Sequence, residues 1–356
     1  MGGQRLAVLG TGSIAHRHAE EFGAIDGISL VAAVDTDPAR ARAFAAQHGI
    51  DRAFASLEEA LSWGAFDAVV NSTPDGVHYP TTMQLVAARK AIFCEKPLAA
   101  NYGDALEMTE AAEAAGLINM VNLTYRNAHA IQKARAMIEA GEIGAVRHIE
   151  ASYLQSWLTA THWGDWRSDP RWLWRLSSAH GSKGVLGDVG IHIVDFVTFG
   201  TGLDIAALQA RMKTFDKADG NAIGDYTLDV NDSVAMSVEM TNGALGVIHM
   251  TRCATGNLND LNLAIYGEKG ALKVWANHLD SRLDGCLGED IHTQTWRPIS
   301  CPATPRNEQR FARALFDGVN GVPDFRRAAE VQKLLDLCFV SDAERRMLPT
   351  GLSGTA

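Results

Sequence analysis

Cysteine is scarce in this chain and follows no pattern. Its five residues, Cys94, Cys253, Cys286, Cys301 and Cys338, are odd in number and widely scattered. No CxxC pair occurs, so neither a zinc ribbon nor a thioredoxin-like redox pair is suggested. Reduced, mostly buried thiols are expected. Long apolar runs are missing as well, and no stretch approaches the roughly 20 residues of a membrane span. After Met1–Gln4 the sequence passes directly into the short apolar stretch Leu6–Leu9. A secretory signal needs a longer apolar region with a cleavage site, and a transit peptide is rich in Arg and Ser. A cytoplasmic location is expected. Positive charge is in deficit, with 32 Lys and Arg against 42 Asp and Glu, a formal net charge of −10. That balance favours solubility and argues against a nucleic-acid or anionic-membrane partner. No metal is expected either: His16 and His18 fall at i and i+2 of a helical stretch and point apart.

What is present has the composition of a folded enzyme, 47% hydrophobic and 21% charged. At 356 residues the chain exceeds the roughly 250–300 residues at which one core stops growing, which predicts two domains. In the first third, apolar runs at Arg5–Leu9, Leu30–Val34, Ala68–Asn71, Ala91–Cys94 and Ile118–Val121 alternate with helix-like stretches. Strands of that kind separated by helices predict a parallel, doubly wound sheet. Beyond about residue 125 the pattern changes. A helix at His129–Ala140 is followed by long strand-like runs from Val146 to Trp275, with Asn242-Gly243 as a hairpin signal between two of them. Consecutive strands joined by tight turns are antiparallel. The expected architecture is an α/β Rossmann domain over residues 1–124 and an α+β domain with an open-faced, mostly antiparallel sheet over residues 125–356.

The first strand runs into Gly10-Thr11-Gly12-Ser13-Ile14-Ala15 at the start of the first helix. The first glycine permits the tight turn, the second admits a pyrophosphate to the backbone, and Ala15 keeps helix and strand close. The helix N-terminus presents free N–H groups to phosphates. Asp35 follows about 20 residues on, at the end of Leu30–Val34, where a carboxylate binds ribose hydroxyls and repels a 2′-phosphate. NAD is predicted over NADP, with Arg40 as the residue that could admit the extra phosphate. The competing role for Asp35 is to begin the turn and cap the next helix.

Three further motifs stand in order: Thr73-Pro74 with His78, Glu95-Lys96-Pro97, and Gly187-Asp188-Val189-Gly190-Ile191-His192-Ile193-Val194-Asp195. With the glycine loop, Tyr125-Arg126 and Gly141-Glu142-Ile143-Gly144, they resemble the glucose–fructose oxidoreductase, inositol dehydrogenase and rhizopine-catabolism (Gfo/Idh/MocA) family over nearly the whole chain. The resemblance implies catalysis in a cleft between the domains by Lys96, Asp188 and His192, which would also contact substrate. It implies a cis bond before Pro97, and cofactor contacts from Thr73, Pro74, His78, Glu95, Lys96, Trp174 and Arg175. The family's run of glycines before the aspartate is here Ser182-Lys183-Gly184, so substrate shape does not carry over.

The chemistry can be argued without the family. Oxidising an alcohol by hydride loss needs a base for the hydroxyl proton, and His192 has the intrinsic pKa for it. Asp188 lies four residues earlier, so on an α-helix it would share a face with His192 and orient the imidazole. Lys96 would stabilise a developing alkoxide.

Trp157, Trp163, Trp166, Trp172 and Trp174 crowd into Ser156–Arg175. Indole faces stack on pyranose rings, while interleaved cations such as Arg167 could grip hydroxyls or an acidic group. One or two of these tryptophans are expected to touch substrate and the others to pack. Tyr125, Trp157 and Arg167 complete the expected substrate contacts.

The sequence therefore predicts an NAD-dependent dehydrogenase for a sugar, glycoside or cyclitol, assembled as a homodimer or homotetramer through the open sheet. Two rivals stay open. One is an enzyme that retains NAD and oxidises transiently for glycoside cleavage or epimerisation. The other is a regulator that senses NAD(H) or a sugar without turnover.

Overall fold

Leu6, Ala7, Val8 and Leu9 are all buried, as expected for a strand covered on both faces. The computed structural model describes residues 3–277 and 280–354, and the chain separates into two units. The first holds Met1–Leu123 and Pro305–Gln332. Its six strands are β1 (Gln4–Leu9), β2 (Ile28–Val34), β3 (Arg52–Phe54), β4 (Ala68–Asn71), β5 (Ala91–Cys94) and β6 (Asn119–Val121). They form one parallel sheet in the order β3-β2-β1-β4-β5-β6. The short, largely exposed β3 was not legible as a strand. The connecting helices are α1 (Ser13–Gly23), α2 (Pro38–His48), α3 (Leu57–Trp63), α4 (His78–Ala87) and α5 (Tyr102–Ala114).

Residues 305–332, read above with the second domain, cluster with the first unit. The tail helix Asn307–Asp317 inserts Phe311 beside Phe22 and Phe93, at ring separations of 6.1 and 5.5 Å. Phe311 and Ala312 share one buried cluster with Leu6, Phe22, Val70 and Met120. An amphipathic helix with no other apolar surface to cover joins the core that receives it.

The second unit holds Thr124–Thr304 and Lys333–Ala356. It opens with α6 (His129–Glu139) and β7 (Val146–Gln155), followed by the short α7 (Pro170–Leu173) and the almost wholly buried α8 (Ile191–Thr201). The strands continue with β8 (Ile205–Lys213), the small hairpin β9 (Ala222–Ile223) and β10 (Tyr226–Thr227), β11 (Ser233–Met240), β12 (Leu245–Thr251), β13 (Asn259–Gly267), β14 (Gly270–Asn277), β15 (Asp280–Leu287), β16 (Arg297–Ile299) and β17 (Leu348–Pro349). Nine of them form one sheet in the order β16-β15-β14-β13-β7-β12-β11-β8-β17. Among the described residues, only the β7–β12 pairing of this sheet is parallel. At the β11–β12 hairpin Gly243 alone takes positive φ, +84°, and its N–H donates to Met240 O at 2.8 Å. The turn is therefore carried by the glycine rather than by Asn242 and Gly243 equally.

In β11 and β12, buried and exposed side chains alternate strictly. Such alternation gives a half-buried sheet. α6 and α8 pack on its inner face. The other face carries a groove lined by Glu150, His249, Tyr266, Lys273, Trp275 and Arg282, among others. Among the described residues, no helix is long and apolar enough to cross a membrane.

Candidate active site

In the first unit the glycine loop is held by geometry that only glycine meets. Gly10 has φ +80°, and a Cβ there would lie 2.8 Å from the Ser72 carbonyl. Gly12 precedes α1 with open space where a Cβ would stand. It offers no side-chain cap, and the first turn of α1 carries no acidic residue. These unfilled N–H groups and the clear space at Gly12 fit a pyrophosphate. Ser13 and Ile14 are exposed beside them.

Asp35 is buried at the end of β2. The Thr11 N–H and hydroxyl both donate to its Oδ2, at 2.9 and 2.8 Å, and the Asp37 N–H donates to Oδ1 at 2.9 Å. Burial by itself would raise its pKa, but these donors and nearby Arg40 hold the carboxyl below its usual range. Capping of α2 falls instead to Asp37, which accepts from Ala39 and Arg40 N–H. Arg40 lies 3.6 Å from Asp35 and 3.7 Å from Asp37, so its charge is directed at carboxylates. Asp35 thus ties the glycine loop to β2 while remaining ionised.

At the ends of β4 and β5 the motif residues stand on two adjacent loops. The Lys96–Pro97 bond is cis. Asn71 accepts from the Thr73 hydroxyl at 2.7 Å. His78 is fully buried, and its ring nitrogens lie 2.7 Å from Pro97 O and 2.8 Å from Thr73 O. Carbonyl oxygens only accept, so both nitrogens carry protons. Burial opposes the charge, but Cys94, the Pro97 carbonyl and Asp75 raise the pKa to about 10. His78, expected at the cofactor, instead braces the Thr73-Pro74 loop against the Lys96-Pro97 loop.

Glu95 is likewise engaged inward. Its Oε1 accepts from His18 at 2.8 Å and Asn122 at 2.7 Å, and its Oε2 accepts the Lys96 N–H at 3.1 Å. The second nitrogen of His18 lies 3.0 Å from Glu308 on the tail helix. Burial disfavours the charge on each group, yet the two carboxylates raise His18 to about 9, and His18 and Asn122 lower Glu95 to about 2. The His18 contribution to stability is therefore complete below pH 6.5 and lost as pH rises through about 9. That of Glu95 is complete above pH 4.5 and lost as pH falls through about 2. Thermal unfolding of the first unit is expected to be insensitive to pH between about 4.5 and 6.5 and to move to progressively lower temperature as pH rises from 6.5 to about 9. A melting temperature that stays level through pH 10 would contradict the buried imidazolium.

In the second unit, Asp188 lies in a π-helical turn, Leu186–Gly190, that leads into α8. The wider i→i+5 turn replaces the α-helical spacing expected between Asp188 and His192. The Asp188 carboxylate accepts from Arg175 at 3.3 Å and Arg252 at 3.1 Å. Asp188, expected to orient the imidazole, is thus held by a guanidinium clamp. Arg252 is fully buried, also donates to Arg175 O at 2.9 Å, and sits 4.9 Å above the Trp157 ring. His192 is caged by aromatic rings, with Tyr125 edge-on at 5.1 Å and Tyr153 at 6.4 Å. The two phenols meet at 2.6 Å. Asn259 bonds both, and Gln155 carries the chain on to the Trp157 indole N–H.

The tryptophans form a small core. Trp157 is 2% and Trp166 1% exposed, packed with Leu158, Leu173, Leu176 and Leu228. Trp163 and Trp172 stack on each other at 5.8 Å and 6°. Trp157, expected to face substrate, is interior because its indole floors Arg252. Trp174 is 36% exposed with the Arg175 guanidinium 4.7 Å from its ring, so it is the member of the cluster open to a ligand. Arg167 lies over Trp166 at 4.5 Å and near Asp165, on the outside of this core. Sequence reasoning missed Arg252, Tyr153, Asn259, Gln155, His18 and Glu308. The strict alternation of β12 running into an arginine was the available signal for Arg252.

Residues 4–123 match the oxidoreductase family model with an NAD-binding Rossmann fold, and residues 131–273 match the GFO/IDH/MocA C-terminal domain. The chain belongs to the Gfo/Idh/MocA family. Its first unit is an NAD-binding Rossmann domain, as the glycine loop and Asp35 required. Among curated relatives, levoglucosan dehydrogenase of Pseudarthrobacter phenanthrenivorans is 29% identical over 56% of this chain and 53% of its own. The match thus spans about half of that enzyme. The 1,5-anhydro-D-fructose reductase of Ensifer adhaerens is 29% identical over 89% of this chain and 84% of its own. A solved levoglucosan dehydrogenase in complex with NADH superposes with a TM-score of 0.87 at 21% identity, over 98% of this chain and 99% of that one. At that identity the likeness is one of fold.

Proposed function

We propose that this Gfo/Idh/MocA oxidoreductase transfers a hydride between nicotinamide and a secondary carbinol carbon of a sugar, glycoside or cyclitol. The observation that carries the reading is His192, set at the start of a buried helix and caged by Tyr125 and Tyr153, one turn after a carboxylate clamped by two guanidiniums. The names of two relatives, a levoglucosan dehydrogenase and a 1,5-anhydro-D-fructose reductase, support the substrate class. Bound NAD supplies the hydride acceptor. His192 takes the hydroxyl proton as the carbinol carbon is oxidised and returns it in reduction. The Tyr125 and Tyr153 rings fix the plane of the imidazole and keep water from its flanks. Asp188, anchored by Arg175 and Arg252, sets a negative charge near the imidazolium that forms. Lys96 would supply a compact positive charge to the developing alkoxide. Trp174 gives one pyranose face a platform, and Thr73 and Pro74 serve the cofactor.

The test is a panel of sugars, glycosides and cyclitols offered with NAD and with NADP, followed by nicotinamide absorbance. Turnover of at least one class with NAD is expected. Tight NADH binding without turnover of any of them would overturn the reading. Asp35→Ser is expected to weaken NADH by about ten- to a hundredfold, the worth of charge-assisted hydrogen bonds, and to lessen the discrimination against NADPH. Fluorescence titration of both reduced cofactors checks this, and equal affinities in variant and parent would remove Asp35 from the ribose site.

The same reading includes a homodimer or homotetramer in the cytoplasm, joined at the open face of the sheet. Leu245 and Val247 on β12 are 58% and 44% exposed there, as befits a surface that a second copy covers. Light scattering of Leu245→Glu against the parent tests the assembly, and an unchanged mass would place the interface elsewhere.

A further inference from the structure

The tail helix reaches the catalytic lysine's strand through buried polar groups. Glu308 on that helix bonds His18 on α1, His18 bonds Glu95, and Glu95 accepts the backbone N–H of Lys96. A second path runs alongside it. Asn307 donates to Asn122 Oδ1 at 3.1 Å and to Leu123 O at 3.2 Å, and Asn122 donates to Glu95 at 2.7 Å. Both paths end on one carboxylate, immediately before the lysine. Neither is needed to close the sheet, because Phe311 already docks the helix by apolar contact.

We propose that His18, Glu308 and Asn307 are positioning residues that fix Lys96 through Glu95, making the tail helix part of the catalytic apparatus. The inference rests on the role proposed above for Lys96. The physical argument is one of alternatives. Taking two carboxylates and an imidazole out of water is costly unless each is bonded. A simple apolar contact between tail and sheet would have held the helix at less desolvation cost, so what the network adds is a defined geometry. The His18 ring is further confined by Phe93, edge-on at 5.3 Å. The charged groups that act on the imidazolium are Glu95 at the end of β5 and Glu308 at the tail, with Lys96 acting in turn on Glu95 and Arg17 on Glu308. Arg306 pairs with Glu21, which leaves the two bonded glutamates as the groups that hold His18.

His18→Gln breaks the cationic link, whereas Glu308→Gln keeps an acceptor and removes one charge. Both full-length variants are expected to lose turnover by between about ten- and a hundredfold, the usual result of small misplacement of a reacting group. The KM for NAD is expected to stay unchanged. A second readout needs no substrate: the carbon-13 signal of reductively methylated Lys96, assigned by its loss in Lys96→Arg, should titrate at a different pH in Glu308→Gln. Native turnover and a native Lys96 titration in both variants, with only thermal stability reduced, would show a purely structural tether and overturn the proposal. If His18→Gln does not fold, Glu308→Gln decides. If the parent turns over no polyol, the function proposed above fails, and the Lys96 titration still tests the tether.

Discussion

His192→Ala is expected to lower turnover by about 10²–10⁴, the usual worth of general acid–base catalysis, while NADH affinity survives. The glycine loop and Asp35, which fit the dinucleotide, belong to the first unit, and His192 belongs to the second. The removed ring leaves a gap against Tyr125 and Tyr153, whose phenols remain tied to Asn259. The cage should therefore stand, and melting temperature should change little relative to turnover. His192→Gln separates the two contributions, because it fills the gap without a titrating group. The expected result is that Gln is as slow as Ala, read by steady-state kinetics at saturating NAD. A variant with parental rates would remove the proton-transfer role from this histidine, and a variant that loses NADH as well would show that the substitution had disturbed more than chemistry.

Arg126→Met is expected to cost about 3–5 kcal/mol of stability, the usual loss when one partner of a buried ion pair is removed. Arg126 donates to both oxygens of Asp195, at 2.6 to 3.2 Å, with the side chains 4% and 3% exposed. Its guanidinium also covers the Phe199 ring at 4.4 Å. Asp195 stands three residues beyond His192 on α8, and Arg126 follows Tyr125 directly. One ion pair thus binds the helix that carries the imidazole to the segment that carries its ring partner. Turnover should fall along with stability, unlike at His192. Denaturant unfolding measures the loss, and the double variant Arg126→Met/Asp195→Leu should recover much of it, since a buried pair replaced by apolar side chains is often neutral. A double variant no more stable than the single one would assign the effect to packing over Phe199 instead.

The two halves of that ion pair were visible in the sequence as separate motifs, Tyr125-Arg126 and the aspartate closing Gly187–Asp195, with nothing to say that they meet. The Rossmann unit was more open to inspection. Its strands are short apolar runs, its loop is a glycine pattern at a strand end, and Asp35 lies one strand further on. All of these are local periodicities and spacings. β3 escaped because Arg52–Phe54 has only three residues and no apolar run. Placing residues 305–332 required knowing which core would receive Phe311, and a helical stripe does not name its partner. His18 shows the same limit: nothing in its local spacing points to Glu95 and Glu308, which lie 77 and 290 residues away.

Sequence alone determined the family, the two architectures, the dinucleotide loop and the titratable side chains standing in the motifs, because each is written in neighbouring residues whose chemistry is local. Tertiary structure alone decided which way those groups face. It turned Asp188 towards Arg175 and Arg252 through a π-turn, sank Trp157 beneath Arg252, left Trp174 outside, and gave His78 and Glu95 to the support of the loops instead of their surfaces. The reason is physical: a buried polar side chain must find partners wherever folding brings them, and those partners come from distances along the chain over which no periodicity extends.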